Sequence, residues 1–328
     1  MSKCVLIRCD ASKKIGLGHM VRSIELARNL KSMGYEPNFI LKFTFQLGIK
    51  MLVEDDLNYF LLSSYTSQTA QILKIANEKG AKVFIGDTKD GCPTLLIKKL
   101  KQIGVLTVAI DENNIYAKHC ALCFYPPHAN VQIREFKGKV YQGLEYTLIR
   151  KEFFEVSRRS KHTSNNFMRI FVMMGGTDTD NLLLPVLERI VVEASSNSQI
   201  ITVAPKNHPD LDKFRILPKN IEIFEPTLEL VKILENSDLA IVKFGTIAYE
   251  LLALGIPAIH LCFTDEDFRA SEWFANRGYA IKTSLQNFSL TDLSPLNFES
   301  ALDVKYENMI HDTIEQELTV LERKHFHS

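Results

Sequence analysis

The sequence carries no excess charge of either sign. Lys plus Arg and Asp plus Glu number 39 each, so the formal net charge is zero. Nothing in that balance points to a nucleic-acid or membrane-surface partner. No apolar stretch reaches the roughly 20 residues a membrane-spanning helix needs. Met1-Ser2-Lys3 leads straight into a strand-like run, without a signal-peptide pattern. A cytoplasmic protein without membrane insertion is therefore expected. The Gly-Lys-Ser/Thr ending of a Walker loop is missing, and so is a G-x-G-x-x-G dinucleotide fingerprint. Six cysteines are present, and only Cys120 and Cys123 have Cys-x-x-Cys spacing. One such pair supplies two zinc ligands, and no second pair has the required spacing. In a strand the two would also point to opposite faces. No metal site is expected.

What the chain does have is length and apolar content for two ordinary domains: 328 residues, 46% of them hydrophobic. The first thirty residues set the pattern. Cys4 to Cys9 is a short apolar run suited to a buried strand, followed by a polar stretch from Asp10 to Lys14. Gly16-Leu17-Gly18-His19 comes next. Met20, Val21, Ile24, Leu26, Ala27 and Leu30 then recur with helical spacing. Two glycines before a helix let backbone approach a ligand, and the helix N-terminus suits an anion. His19 falls in the first turn, where the helix dipole disfavours imidazolium, so a neutral ring able to accept a proton is expected. The alternative is a capping or packed histidine after an ordinary turn.

Strand and helix patterns alternate onward from there, which argues for a parallel sheet covered by helices. Strands are expected over 37–42, 58–62, 82–86, 105–110 and 121–125, and helices over 68–79 and 93–103; residues 43–57 give no clear pattern. Asp10, Asp87 and Asp111 each follow a strand's C-terminal end, where ligands bind in such sheets. Each alone reads as a loop or cap residue, but three at equivalent positions suggest one shared polar rim near His19.

A polar stretch over 158–166 marks the joint. The expected organisation is an α/β chain with a first domain over 1–163, a second over 164–290 and a partly helical tail over 291–328. That tail could pack across the first domain or remain mobile. The second half opens as the first does. An apolar strand over 168–174 leads into Gly175-Gly176-Thr177-Asp178 and a helix from about Thr179 to Ala194. Backbone N–H groups and the Thr177 hydroxyl make this a candidate phosphate turn. Lys243-Phe244-Gly245-Thr246 has the same build, and two such turns suit a diphosphate. Glu250 is a lone charge in an otherwise apolar helix, placed to accept hydrogen bonds from ribose hydroxyls. An exposed helix residue is the alternative.

Several segments resemble the UDP-sugar hydrolases of pseudaminic acid biosynthesis. They are Arg8 to Ser12, Ile15 to His19 with Arg22, Ile110-Asp111-Glu112, Gly143 to Phe153, Met174 to Asp178, Gly245-Thr246, Tyr249-Glu250-Leu251 and Ala253-Leu254-Gly255 with Pro257. Those hydrolases are similar in turn to the GT-B glycosyltransferases, among them the lipid-linked GlcNAc transferase of peptidoglycan synthesis. The resemblance implies two Rossmann-like domains facing each other across a cleft. It implies hydrolysis of UDP-2,4-diacetamido-2,4,6-trideoxy-β-L-altropyranose to UDP and free sugar, with no metal or other cofactor and with His19 activating water. Sugar contacts would come from the first domain, for which Asp10, Gly16, Gly18, Arg22, Asp87 and Asp111 are the candidates. Nucleotide contacts would come from Gly175, Gly176, Thr177, Asp178, Phe244, Gly245, Thr246 and Glu250. Two departures stand out. Lys243-Phe244 replaces small residues, so that Lys243 either adds a phosphate contact or faces solvent while Phe244 packs. Glu266 and Asp267 replace amides beside the sugar. The competing expectations are a GT-B glycosyltransferase that passes the sugar to an acceptor and a catalytically silent nucleotide-sugar binding protein.

Overall fold

The computed structural model describes residues 3–12, 14–42, 45–156, 168–217, 221–291, 293, 296 and 306–326. Contacts divide the chain into two compact units. One comprises Met1–Ile15, His19–Leu148 and Tyr306–Ser328, the other Gly16–Gly18 and Ile149–Lys305.

The first unit alternates β1 (Lys3–Cys9), α1 (Gly18–Ser32), β2 (Tyr35–Leu41), α2 (Gln46–Glu54), β3 (Asn58–Leu61), α3 (Gln68–Lys79), β4 (Val83–Asp87), α4 (Thr94–Gln102), β5 (Leu106–Ile110), β6 (Leu122–Tyr125) and β7 (Lys139–Gln142). Its seven strands run parallel in the order β3-β2-β1-β4-β5-β6-β7. Central strands with helices on both faces must be apolar on both sides. Cys4, Val5, Leu6 and Ile7 of β1 and Val83, Phe84 and Ile85 of β4 are accordingly all buried. The second unit opens with the short helix α5 (Glu152–Glu155). Then follow β8 (Arg169–Met173), α6 (Leu183–Glu193), β9 (Gln199–Val203), α7 (Leu211–Arg215), β10 (Ile221–Phe224), α8 (Leu230–Leu234), β11 (Leu239–Lys243), α9 (Thr246–Leu254), β12 (Ala258–Leu261), α10 (Asp265–Ala275) and β13 (Ala280–Thr283). Its six parallel strands have the order β10-β9-β8-β11-β12-β13.

Strand order reverses between β1 and β4 in the first sheet and between β8 and β11 in the second. At such a switch the connecting loops part in opposite directions, leaving a crevice at the carboxyl ends of the two strands. The three glycine turns read from the sequence follow β1, β8 and β11, strands at these switches.

Contacts place the joint earlier in the chain and group the tail helix with the first unit. The units divide at Leu148 and Ile149, whereas residue 163 lies outside the described residues. Just past this division Arg150 is buried and ion-paired within the second unit to Glu250 of α9. The tail helix α11 (Ile310–Phe326) belongs to the first unit. Ile310, Ile314 and Leu318, one helical turn apart, are buried. Lys139 pairs with Glu317, and Met309 N–H donates to the Glu145 carbonyl at 2.9 Å.

Candidate functional site

In the first unit, β1 ends beside the last residue of β4, Asp87, which pairs in register with Cys9. Asp87 is fully buried, and a buried carboxylate must find donors. Helix α1 supplies them from one face. His19, Arg22 and Ser23 lie three and four residues apart, the spacing that stacks side chains along a helix. His19 Nδ1 lies 2.6 Å from Asp87 Oδ1. Arg22 forks onto both oxygens, Nη2 to Oδ1 at 2.6 Å and Nε to Oδ2 at 2.9 Å. Ser23 Oγ donates to Oδ2 at 2.9 Å. Burial alone would raise the Asp87 pKa. The Arg22 charge, with the neighbouring His19, outweighs that and holds the carboxyl well below the usual carboxylate range. An anionic Asp87 can only accept, so His19 Nδ1 carries the hydrogen, and whenever the ring is neutral Nε2 has the lone pair.

Arg22 reaches onward with Nη1 to Asp111 Oδ2 at 2.8 Å. Asp111 follows β5 with φ +51°, a left-handed conformation uncommon outside glycine. Its side chain is about a third exposed (32%), unlike that of Asp87. The rim thus brings together His19, Arg22, Asp87 and Asp111. Glu112 braces it from beneath, accepting from Thr88 N–H at 2.6 Å and from Asn114 Nδ2 at 2.8 Å. Burial pushes the Glu112 carboxyl up.

Asp10 departs from this rim. It is buried, with Oδ2 on Arg8 Nη2 at 2.6 Å and Oδ1 accepting from Lys42 N–H at 2.8 Å. The fully buried Arg8 requires a counter-charge, and Asp10 supplies it two residues along the chain. Asp10, expected at the sugar, is held in this internal ion pair. Gly16 has φ +83°, so it takes a backbone shape that a side chain would strain. Gly18 opens α1.

In the second unit the turn after β8 contains Gly175 at φ +93° and Asp178 at φ +43°. Asp178 is buried. Its carboxylate accepts the N–H groups of Leu182 and Leu183 at 2.9 and 3.0 Å and meets His208 Nε2 at 2.9 Å. It caps the start of α6 and fixes the loop from inside, which is also why α6 begins at Leu183 and not near Thr179. Thr177 keeps its hydroxyl 3.2 Å from that of Thr179. Gly176 lies between Gly175 and Thr177 in the turn.

After β11, Gly245 caps α9 and Thr246 opens it. Gly245 has an extended φ of 169°, and a Cβ placed there or at Gly175 would meet no heavy atom within 4 Å. At Gly245, then, neither backbone angle nor packing among the described residues demands glycine. Phe244 packs edge-on against His260 at 5.6 Å and Phe274 at 5.8 Å. Lys243 Nζ reaches across to Asp180 Oδ2 at 2.6 Å. Glu250 is buried, with Oε1 on Arg150 Nε at 2.7 Å. Arg150 also donates from Nη1 to the Leu228 carbonyl at 2.6 Å. The exposed-helix alternative for Glu250 is therefore excluded. Of the two departures at α10, Asp267 is a capping residue that accepts from the Phe263 and Thr264 N–H groups, while Glu266 is exposed.

Sequence reasoning missed Ser23, Asp180 and the partnership of Arg150 with Glu250, and it gave Glu112 no role beyond its place in a resembling segment. Ser23 was the one with a local signal, one helical turn after His19.

No family model matches the chain. Among curated proteins it is similar to the UDP-2,4-diacetamido-2,4,6-trideoxy-beta-L-altropyranose hydrolase of Campylobacter jejuni, with 24% identity over 288 residues, 85% of this chain and 98% of that protein. It is also similar to the spore coat polysaccharide biosynthesis protein SpsG of Bacillus subtilis, with 22% identity over 85% of this chain and 83% of that protein. Among solved structures, MurG of Acinetobacter baumannii matches with a TM-score of 0.60 at 11% identity, over 98% of this chain and 99% of that one. The glycosyltransferase SnogD of Streptomyces nogalater matches with a TM-score of 0.64 at 13% identity, over 96% and 99%. By sequence the chain is homologous to the altropyranose hydrolase and SpsG, and its two-domain α/β fold matches that of the GT-B glycosyltransferases.

Proposed function

We propose that the protein is a UDP-sugar hydrolase, with UDP-2,4-diacetamido-2,4,6-trideoxy-β-L-altropyranose as substrate and His19 as general base. The observation that carries this reading is the 2.6 Å contact between His19 Nδ1 and the buried Asp87. Water is a poor nucleophile at neutral pH. His19 Nε2 takes its proton as the water oxygen bonds to the anomeric carbon. The bond from that carbon to the diphosphate oxygen breaks, and UDP leaves with the electron pair. The free sugar keeps the new hydroxyl, and the imidazolium returns its proton to solvent.

The charges around His19 suit this cycle. Asp87 and Asp111 are two anions against one cation, Arg22. A protonated His19 makes the set neutral. Asp87 also fixes the imidazole tautomer and ring direction, so it is a positioning residue. Asp111, with Oδ2 on Arg22, is the carboxylate open enough to accept from a sugar hydroxyl or an acetamido N–H. Gly16 and Gly18 let the loop backbone approach the sugar.

The nucleotide falls to the second unit. Gly175, Gly176, Gly245 and Thr246 offer backbone N–H groups at the strand-order switch, and the Thr177 hydroxyl adds a donor. Negative charge building on the leaving diphosphate is stabilised there without a metal. Asp178 and Phe244 hold these turns from behind. Glu250, oriented by Arg150, keeps the ribose hydroxyls as its partners.

The test is product analysis by NMR with the purified protein, this UDP-sugar and a chelator. Release of UDP and free sugar, abolished in His19→Ala while UDP still binds, is the expected result. Sugar transfer to an added acceptor without release to water would replace hydrolase by glycosyltransferase. Binding without any turnover would leave a nucleotide-sugar binding protein.

A further inference from the structure

The turns that follow β8 and β11 are joined by one side-chain contact, Lys243 Nζ to Asp180 Oδ2 at 2.6 Å. Both strands flank the point where the second sheet reverses its order, so the contact spans the crevice in which such sheets take ligands. The glycines on either side of it, Gly175 and Gly245, face open space. The Lys243 ammonium, at the end of β11, thus has as its counter-ion an exposed carboxylate in the loop after β8. Asp180 is 57% exposed and Lys243 26%. Solvent screening makes so exposed a pair weak, and its geometry is lost at little cost. Phe244 occupies the packed position beside it, within the aromatic cluster of His260 and Phe274. Lys243 is thereby left as the polar member of the pair of residues preceding Gly245.

We propose that Lys243 is a diphosphate-binding residue and that Asp180 is its internal competitor, occupying the ammonium group until a nucleotide diphosphate displaces it. This rests on the reading of the second unit as the nucleotide site and adds to it a residue that sets affinity. A diphosphate brings more negative charge than one carboxylate and shares it with the amides of both turns, so the exchange favours the ligand. Lys243 contributes only where phosphate is present. Asp180 opposes binding both by holding Lys243 and by placing a negative charge near the incoming anion.

Calorimetric titration of the whole protein with UDP and with uridine tests this, using Lys243→Met, Lys243→Arg and Asp180→Asn. Lys243→Met should weaken UDP about tenfold and leave uridine unchanged, and Lys243→Arg should recover most of the loss. Asp180→Asn should tighten UDP several-fold, again without effect on uridine. If Lys243→Met and Asp180→Asn weaken UDP alike, the pair is a strut between the turns and the proposal fails. It fails equally if Lys243→Met leaves UDP affinity unchanged while the wild type binds UDP. A wild type that binds no UDP at all removes the nucleotide reading, and this proposal with it.

Discussion

His19 Nδ1 and Asp87 Oδ1 lie 2.6 Å apart, and the same carboxylate also carries the Arg22 fork and the Ser23 hydroxyl. One buried anion therefore sets the tautomer of His19 and the position of the cation beside it. Asp87→Asn keeps the shape and removes the charge. An amide N–H can then face Nδ1 and favour the tautomer whose Nε2 already holds a proton. We expect kcat to fall roughly 10²- to 10⁴-fold, with UDP affinity unchanged, because the nucleotide is assigned to the other unit. Single-turnover kinetics beside a UDP titration separates the two. A variant that loses UDP binding in step with activity would reduce Asp87 to a folding role.

The rim around Asp87 was partly legible in the sequence. Strand ends and a helix start are local patterns, so His19, Asp87 and Asp111 could be placed near one another before any coordinates. Side-chain partners are not local in that way. Asp10 looked equivalent to the other two aspartates, yet the buried Arg8 claims it. Arg8 stands two residues earlier, near the end of β1, and Asp10 is the first residue beyond that strand. Helix α3 was found with its true ends because Gly80 adopts the left-handed stop, φ 60°. Helix α2 was not, since Phe45 at its start provides no side-chain cap. The short strands β7 and β13 have several half-exposed residues and so lack a buried-strand pattern. Glu250 stood out as a lone charge in an apolar helix. What the sequence could not show is that Arg150, a hundred residues away, neutralises it.

That pair gives a stability prediction. Arg150 and Glu250 are each about 4% exposed at the side chain, so removing one leaves the other charged and buried. Arg150→Met should destabilise the second unit by about 3–5 kcal/mol. Adding Glu250→Leu should recover much of that loss, because a buried pair replaced by apolar groups is often near neutral. The only tryptophan, Trp273, lies in α10 of the second unit, so its fluorescence during urea unfolding follows the relevant transition. Additive losses in the double variant would mean the two side chains do not depend on each other.

His260 makes the second unit sensitive to acid. It is fully buried on β12 between Phe244 and Phe274, with Nδ1 3.2 Å from Ser271 Oγ and no partner for Nε2 among the described residues. Burial lowers its pKa to about 3, against an ordinary 6.5. The unfolded chain therefore takes up a proton near pH 6.5 that the native protein refuses until about pH 3. Between those values the unfolded state binds more protons, and stability falls as pH falls, by at most roughly 1.4 kcal/mol per pH unit. Above pH 6.5 the group is neutral in both states and contributes no slope. His260→Phe keeps a ring in the aromatic cluster and removes the titration. As pH drops from 7 to 4, the wild-type urea midpoint followed through Trp273 should fall relative to that of the variant. Parallel curves for the two proteins across that range would show that His260 protonation does not govern the acid limb.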